Sequence, residues 1–254
     1  MPTASEVCDD LLRLSHRLGD VAADCAILGE GNTSAAVDDE TFYVKASGAC
    51  LATLTAEQVV RVRRAPVLAL LDRETIPDDE IAAALAAAKV DPYAPVRPSV
   101  ETLFHAYLLS LPGVRFVGHT HPTPINAILC SPQAEALVRG RLFPDQIVCC
   151  GPDAAFVPYV DPGQPLARAI RDAVERYRER WDEVPRTLYM QNHGFIALGA
   201  TPAEVESATA MATKAARILL GAASVGGPVF LTPEHVARIH TRPDEKYRQA
   251  RLAR

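Results

Sequence analysis

Two histidines one residue apart, His119 and His121, follow the apolar run Val114-Arg115-Phe116-Val117 and precede Pro122. If that run is a β-strand, residues two apart face the same way with Cα atoms about 6–7 Å apart. Both imidazoles can then reach one metal ion at a bond length near 2 Å. Proline pushes the residue before it towards extended backbone, which favours this arrangement at His121. A third histidine, His193, stands in Asn192-His193-Gly194, between the strand-like runs Thr187-Leu188-Tyr189-Met190 and Phe195-Ile196-Ala197-Leu198-Gly199. Glycine there permits positive φ, and the turn is expected to use it to project the imidazole. Three histidine ligands with a fourth position open describe a catalytic rather than a structural metal site. Glu101, at the start of an expected helix just ahead of the paired histidines, is the nearest candidate for a general acid/base. A lone His-x-His also fits two ordinary surface histidines, so the rest of the chain decides.

The composition, 48% hydrophobic and 22% charged over 254 residues, is that of a globular enzyme with room for an ample core. A net charge of −5, with no basic run interleaved with aromatics, argues against a nucleic-acid partner. No apolar stretch approaches the roughly 18–20 residues that cross a bilayer. The N-terminus has no basic region followed by an apolar core, so neither a membrane partner nor a signal peptide is expected. The six cysteines contain no Cys-x-x-Cys pair and read as reduced thiols of a cytoplasmic protein.

These candidates need elements to hold them. Apolar residues at helical spacing predict a helix from Glu6 to about Leu18, stopped by Gly19. The turn Leu28-Gly29-Glu30-Gly31-Asn32-Thr33-Ser34-Ala35 leads into a short strand, Asp38-Asp39-Glu40 turns it back, and Thr41 to Lys45 is the returning strand, ending in Ala46-Ser47-Gly48. Such loops suit an anionic, oxygen-rich ligand, or are two plain hairpin turns. Thr55 predicts a helix running to Arg63, while Val67 to Leu71 fits either a strand or a helix. Further helices are expected over Pro77 to Lys89, from Ser99 through Leu108, near Pro124 to Cys130, over Pro165 to Trp181, over Glu204 to Ala222 and from Thr232 onwards. Gln146 to Cys149 and Ala155 to Tyr159 read as short strands. The charges Arg168, Arg171, Glu175, Arg178 and Glu179 read as a solvated helix face. The proline-rich Asp91 to Pro98 is a connector rather than a boundary. Residues 1–254 are read as one domain with a helical tail from about residue 226.

Taken in order, Gly31-Asn32-Thr33-Ser34, Lys45-Ala46-Ser47-Gly48, Pro98-Ser99-Val100-Glu101 with His105 four residues on, His119-Thr120-His121 and Asn192-His193-Gly194 resemble the motifs of the class II aldolase/adducin family. The resemblance runs from about residue 5 to 222. It implies an α/β fold, a three-layer α/β/α sandwich with a mostly antiparallel central sheet, assembled as a homotetramer with active sites between subunits. It also implies one divalent metal per chain on His119, His121 and His193, zinc first, with manganese or cobalt as alternatives. Glu101 matches the carboxylate that ligates the resting metal or moves aside as acid/base. Asn32, Ser34, Ser47, Gly48 and Ser99 match positions that cradle a substrate phosphate. Tyr247 is the candidate for a tyrosine reaching a neighbouring subunit's site.

The implied chemistry is cleavage of a C–C bond next to a carbonyl through a metal-stabilised enediolate, most simply retro-aldol cleavage of a sugar or sugar phosphate. A decarboxylase of a 3-oxo or hydroxy acid is the alternative, followed by an epimerase, a dehydratase or a non-catalytic adducin-like module. The acid/base role asks that burial raise the carboxyl's pKa. Two positions depart from the fuculose-type aldolases. Val100 stands where they carry a second serine, and Lys45-Ala46 replaces threonine-proline. Lys45 either restores affinity for an anion or is a solvated lysine. Arg97 either clamps a substrate carboxylate or merely sits on the connector, so a phosphorylated substrate does not follow.

Overall fold

The β-branched runs pair into one sheet. The computed structural model describes residues 2–252. Its strands are β1 (Asn32–Ala36), β2 (Thr41–Lys45), β3 (Val59–Arg63), β4 (Phe116–Thr120), β5 (Ala155–Val157), β6 (Thr187–Met190) and β7 (Gly194–Gly199), in the order β3-β2-β1-β4-β7-β6-β5. The helices are α1 (Ala4–Leu18), α2 (Arg64–Asp72), α3 (Asp78–Ala87), α4 (Thr102–Leu108), α5 (Thr123–Leu129), α6 (Pro144–Cys150), α7 (Gln164–Trp181), α8 (Pro202–Ala223), α9 (Pro233–Thr241) and α10 (Pro243–Leu252). β5 runs parallel to β6, whereas the other neighbouring pairs are antiparallel. The sheet is therefore mixed: against the mostly antiparallel sheet expected, it carries a parallel pair at its β5 edge. A parallel pair needs a long crossover, and α7 supplies it between β5 and β6.

Alternate side chains of the strands enter two separate cores. Phe42, Val44, Val117, Leu188, Met190 and Ile196 join Val67, Ile81, Phe104 and Ile170 from α2, α3, α4 and α7. Ala35, Phe116, Tyr189, Phe195 and Ala197 join Leu11, Ile125, Cys150 and Ala212 from α1, α5, α6 and α8. Burial on both faces explains why β4, β6 and β7 are buried at every position and show no polar alternation.

Three local expectations give way. Thr55 begins only a single turn, Ala56–Gln58, before the chain extends into β3. There Val60 and Val62 point inward and the β-branched alternation outweighs the cap. The apolar stretch around Ile147 is α6 rather than a strand. Pro144 opens it at a position where no N–H is needed, and Gly151, at φ +81°, closes it. The helix after Ser99 starts later than expected: Thr102 N–H donates to Ser99 O at 3.0 Å in a preceding turn, and α4 begins at Thr102. The charged face of α7 is also partly engaged, since Arg168 Nε donates to Leu71 O at 3.0 Å and Arg171 pairs with Asp72 at 3.0 Å, both at the C-terminal end of α2.

Two helices, α9 and α10, follow α8. Thr232 caps α9, and α10 lies along α6 through Arg248–Asp145 at 2.5 Å and Gln249 Nε2 to Val148 O at 2.9 Å. Among the described residues no helix is long and apolar enough to cross a membrane.

Candidate metal centre

Strand register brings the candidates together. Asn32 of β1 lies opposite His119 of β4, which lies opposite Ile196 of β7. The β6–β7 turn, with Met190 paired to Gly194, sets His193 beside them. His121 falls one residue past β4, where its N–H leaves the ladder and donates to Cys25 O at 2.7 Å. One ligand atom from each of His119, His121 and His193 lies within 4.8 Å of the others. The Nε2 atoms of His119 and His121 are 3.2 Å apart. Two nitrogens bound to one tetrahedral zinc at about 2.0–2.1 Å stand about 3.3 Å apart, so this pair fits a shared ion.

The remaining ring nitrogens fix the tautomers. His119 Nδ1 is 3.0 Å from Phe195 O and His121 Nδ1 is 2.5 Å from Glu30 Oε2. A carbonyl and a carboxylate can only accept, so each Nδ1 carries a proton and each Nε2 is the nitrogen left to face the centre. Burial lowers the His119 pKa, but Glu101 and the Phe195 carbonyl more than reverse this and raise it. Burial and the neighbouring His119 push His121 down to about 4, against the pull of Glu30. His121 is thus neutral at neutral pH, as a ligand must be.

Glu101 Oε1 lies 3.3 Å from His119 Nε2 and 3.6 Å from His193 Nε2, facing the same point as the imidazoles. Its other oxygen accepts from Asn32 Nδ2 at 3.3 Å. Burial pushes this carboxyl up, but the raised pKa that the acid/base role asks for is not the outcome. The charge of His119 and the hydrogen bonds from His119 and His193 outweigh burial, and the carboxyl sits well below its usual range.

A cavity of about 430 Å³ opens beside the centre, lined in part by Asn32, Lys45, Ser47, Gly48, Ser99 and Glu101, together with His121 and His193. Five of the residues expected to bind substrate therefore line it. Ser34 does not: it is fully buried, and its Oγ is 2.7 Å from His105 Nδ1. Lys45 is not a solvated lysine. It is 2% exposed, and its Nζ donates to Ala49 O at 2.8 Å and Gly29 O at 3.3 Å, with burial lowering its pKa. Arg97 and Val100 also line the cavity. Tyr247 lies on α10, 66% exposed, and does not line this chain's own cavity.

Two supporting residues were not singled out from sequence. Glu30 sits in a glycine-rich turn that reads as a loop, and Asn126, whose Nδ2 donates to His193 O at 3.1 Å, reads as an ordinary helix position. Neither carries a local signal, because each partner is distant in the chain.

Gly194 has a different role from the one its position suggested. The positive φ of this turn, 52°, belongs to Asn192. A Cβ on Gly194 would stand 2.5 Å from His121 Cδ2 and 2.8 Å from Thr120 O. Glycine is required here by the close packing of the imidazoles. Gly194→Ala is expected to displace His121 and cut zinc affinity by about 10–100-fold, a loss like that of disturbed ligand support. Chelator competition checks it, and unchanged affinity would contradict the packing argument.

His105 gives the fold a pH dependence. It is fully buried, and burial pushes it down to about 3. The unfolded chain takes up a proton near pH 6.5, the folded chain not until about pH 3, so protons favour unfolding between these values. Stability is fully present above pH 6.5 and is expected to fall by about 2 kcal/mol by pH 5 from this residue alone. Urea midpoints at pH 7.5 and 5.0 measure this fall. The difference should shrink in His105→Asn, which cannot take up the charge.

Residues 10–220 match the family described as Class II Aldolase and Adducin N-terminal domain. The chain belongs to the class II aldolase/adducin family. Among solved structures it is similar to an L-fuculose 1-phosphate aldolase, with a TM-score of 0.72 at 17% identity over 97% of this chain and 98% of that one. It is also similar to YgbL from Klebsiella pneumoniae, with a TM-score of 0.68 at 20% identity over 94% and 100%. At these identities the likeness concerns the fold. A curated relative, the uncharacterized oxidoreductase YuxG of Bacillus subtilis (strain 168), is 29% identical over 201 residues, covering 76% of this chain and 26% of that protein. The chain thus spans about a quarter of the length of that relative.

Proposed function

We propose that this protein is a divalent-metal-dependent lyase that cleaves a C–C bond next to a carbonyl, most simply by retro-aldol cleavage of a sugar or sugar phosphate. The observation that carries the reading is the convergence of three imidazoles and the Glu101 carboxylate at one edge of a polar cavity. His119, His121 and His193 would hold the metal, with zinc the ion best suited to three neutral nitrogen donors. A bound divalent cation supplies Lewis-acid polarisation of a carbonyl and stabilises the negative charge left when the adjacent bond breaks.

The chain's own residues do the rest. Glu101, beside the histidines, takes the proton from the substrate hydroxyl in cleavage and returns one to the carbon of the leaving fragment. Asn32 Nδ2 donates to Ser99 Oγ at 2.8 Å as well as to Glu101, so it links the acid/base to the substrate wall. Ser47, Gly48 and Ser99 form that wall with Lys45, whose buried ammonium favours an anionic group on the substrate. Ser34 contributes by holding His105 rather than by touching substrate. Tyr247 is assigned to the site of a neighbouring copy in a homotetramer, consistent with its exposure on α10.

The alternative of a decarboxylase is favoured by one feature. Val100 lines the cavity without offering a hydrogen bond, while Arg97 and Lys45 line the same cavity, a set that suits a carboxylate. Metal analysis of the purified protein, followed by assays of aldehyde release against CO2 release from sugar phosphates, sugars and 3-oxo or hydroxy acids, tests both. Aldehyde release with bound metal supports the lyase reading as stated, and CO2 release moves it to the alternative. No metal bound or taken up would overturn both.

A further inference from the structure

We propose that Glu30 is a positioning residue of the metal centre, holding His121 in the tautomer and orientation that a metal ligand needs. The inference rests on reading His119, His121 and His193 as that centre. Glu30 Oε2 lies 2.5 Å from His121 Nδ1, and Glu30 Oε1 accepts from the N–H of Ile27 at 2.8 Å. Glu30 N–H in turn donates to Ile27 O at 3.1 Å. Both carboxylate oxygens are therefore used, one to anchor the side chain to its own loop and one to grip the imidazole.

The same loop holds the backbone around His121. His121 N–H donates to Cys25 O, and Thr123 N–H donates to Asp24 O at 3.2 Å while Thr123 Oγ1 donates to Asp24 Oδ1 at 2.8 Å. His121 needs this support because it lies past the end of β4, with no ladder to fix it. His119, inside the strand and fully buried, uses only the neutral carbonyl of Phe195 on its back. His121 is 21% exposed at its side chain and uses an anion. A carboxylate behind a metal-bound imidazole fixes the ring and raises the basicity of the ligating nitrogen.

Glutamine at position 30 tests this closely. The site presents two donors, Ile27 N–H and His121 Nδ1–H, to an acceptor-only group. An amide offers one acceptor and one donor. If its oxygen keeps Ile27, its NH2 faces His121 Nδ1 and favours the Nε2–H tautomer, which blocks the ligating nitrogen.

The experiment measures Zn2+ affinity by competition with a chromophoric chelator for wild type, Glu30→Gln and His119→Ala. It also reads imidazole 15N shifts of the metal-free, histidine-labelled proteins. Glu30→Gln is expected to bind Zn2+ about 10–100-fold more weakly than wild type. His121 should be the Nδ1–H tautomer in wild type and move towards Nε2–H in the variant, while His119 keeps its tautomer. A merely structural role would not move one histidine's tautomer alone. Affinity within about twofold of wild type, or an Nε2–H His121 in wild type, overturns the proposal. Wild type that takes up no Zn2+ overturns the metal centre itself, and the wild-type tautomer still decides whether Glu30 grips His121.

Discussion

Replacing His119 by alanine is expected to bring bound metal from about one equivalent per chain to background and to lower turnover by about 10³-fold or more. The reason is geometric. His119 is the central member of the cluster, with its Nε2 3.2 Å from that of His121 and its Nδ1 anchored to Phe195 O. Without it, His121 and His193 are two ligands where a catalytic zinc has three. The loss of Lewis-acid stabilisation, worth several kcal/mol, translates into that factor through the transition-state relation. Inductively coupled plasma analysis and an activity assay on the same sample make the measurement. A variant that retains a full equivalent of metal would remove His119 from the ligand set.

Glu101→Gln is expected to separate chemistry from metal binding. The variant keeps its shape beside Asn32 Nδ2 and the three histidines, so the metal should remain. It cannot exchange a proton, and the loss should be about 10²–10⁴-fold in kcat, the usual contribution of a general acid/base. The neighbouring His119 and His193 hold the Glu101 carboxyl well below its usual range, and as proposed it takes the part of the base in cleavage. Full activity with full metal content would exclude Glu101 from proton transfer, and joint loss of metal and activity would instead make it a ligand.

The chemistry-bearing residues were legible because their signals are local. His119 and His121 are two apart in sequence, with His119 on β4 and His121 one residue past its end, and His193 stands in the turn between β6 and β7. The reversal at Asp38 was equally local: Asp38 Oδ1 accepts from the N–H groups of Glu40 and Thr41 at 2.9 and 2.6 Å. Such asparagine-like and aspartate turns need no tertiary partner. The misread elements were those in which local cues conflict. Thr55 signals a helix start, but the valines after it fit a sheet edge, and burial of Val60 and Val62 decided. Around Ile147 an apolar run of strand length became a helix because Pro144 and Gly151 bound it.

By itself, the sequence determined the donor set, the acid/base candidate and the family, since residue types and short spacings are enough for each. Only the tertiary structure decided how these residues support one another. Glu30 meets His121 across 91 positions, Asn32 meets Glu101 across 69, and Ser34 turns away from the cavity to meet His105 across 71. The sheet order that sets β1 beside β4 and β4 beside β7 makes these pairs neighbours. Pairing over such distances depends on burial and register summed over the whole chain, and no spacing within a motif encodes it.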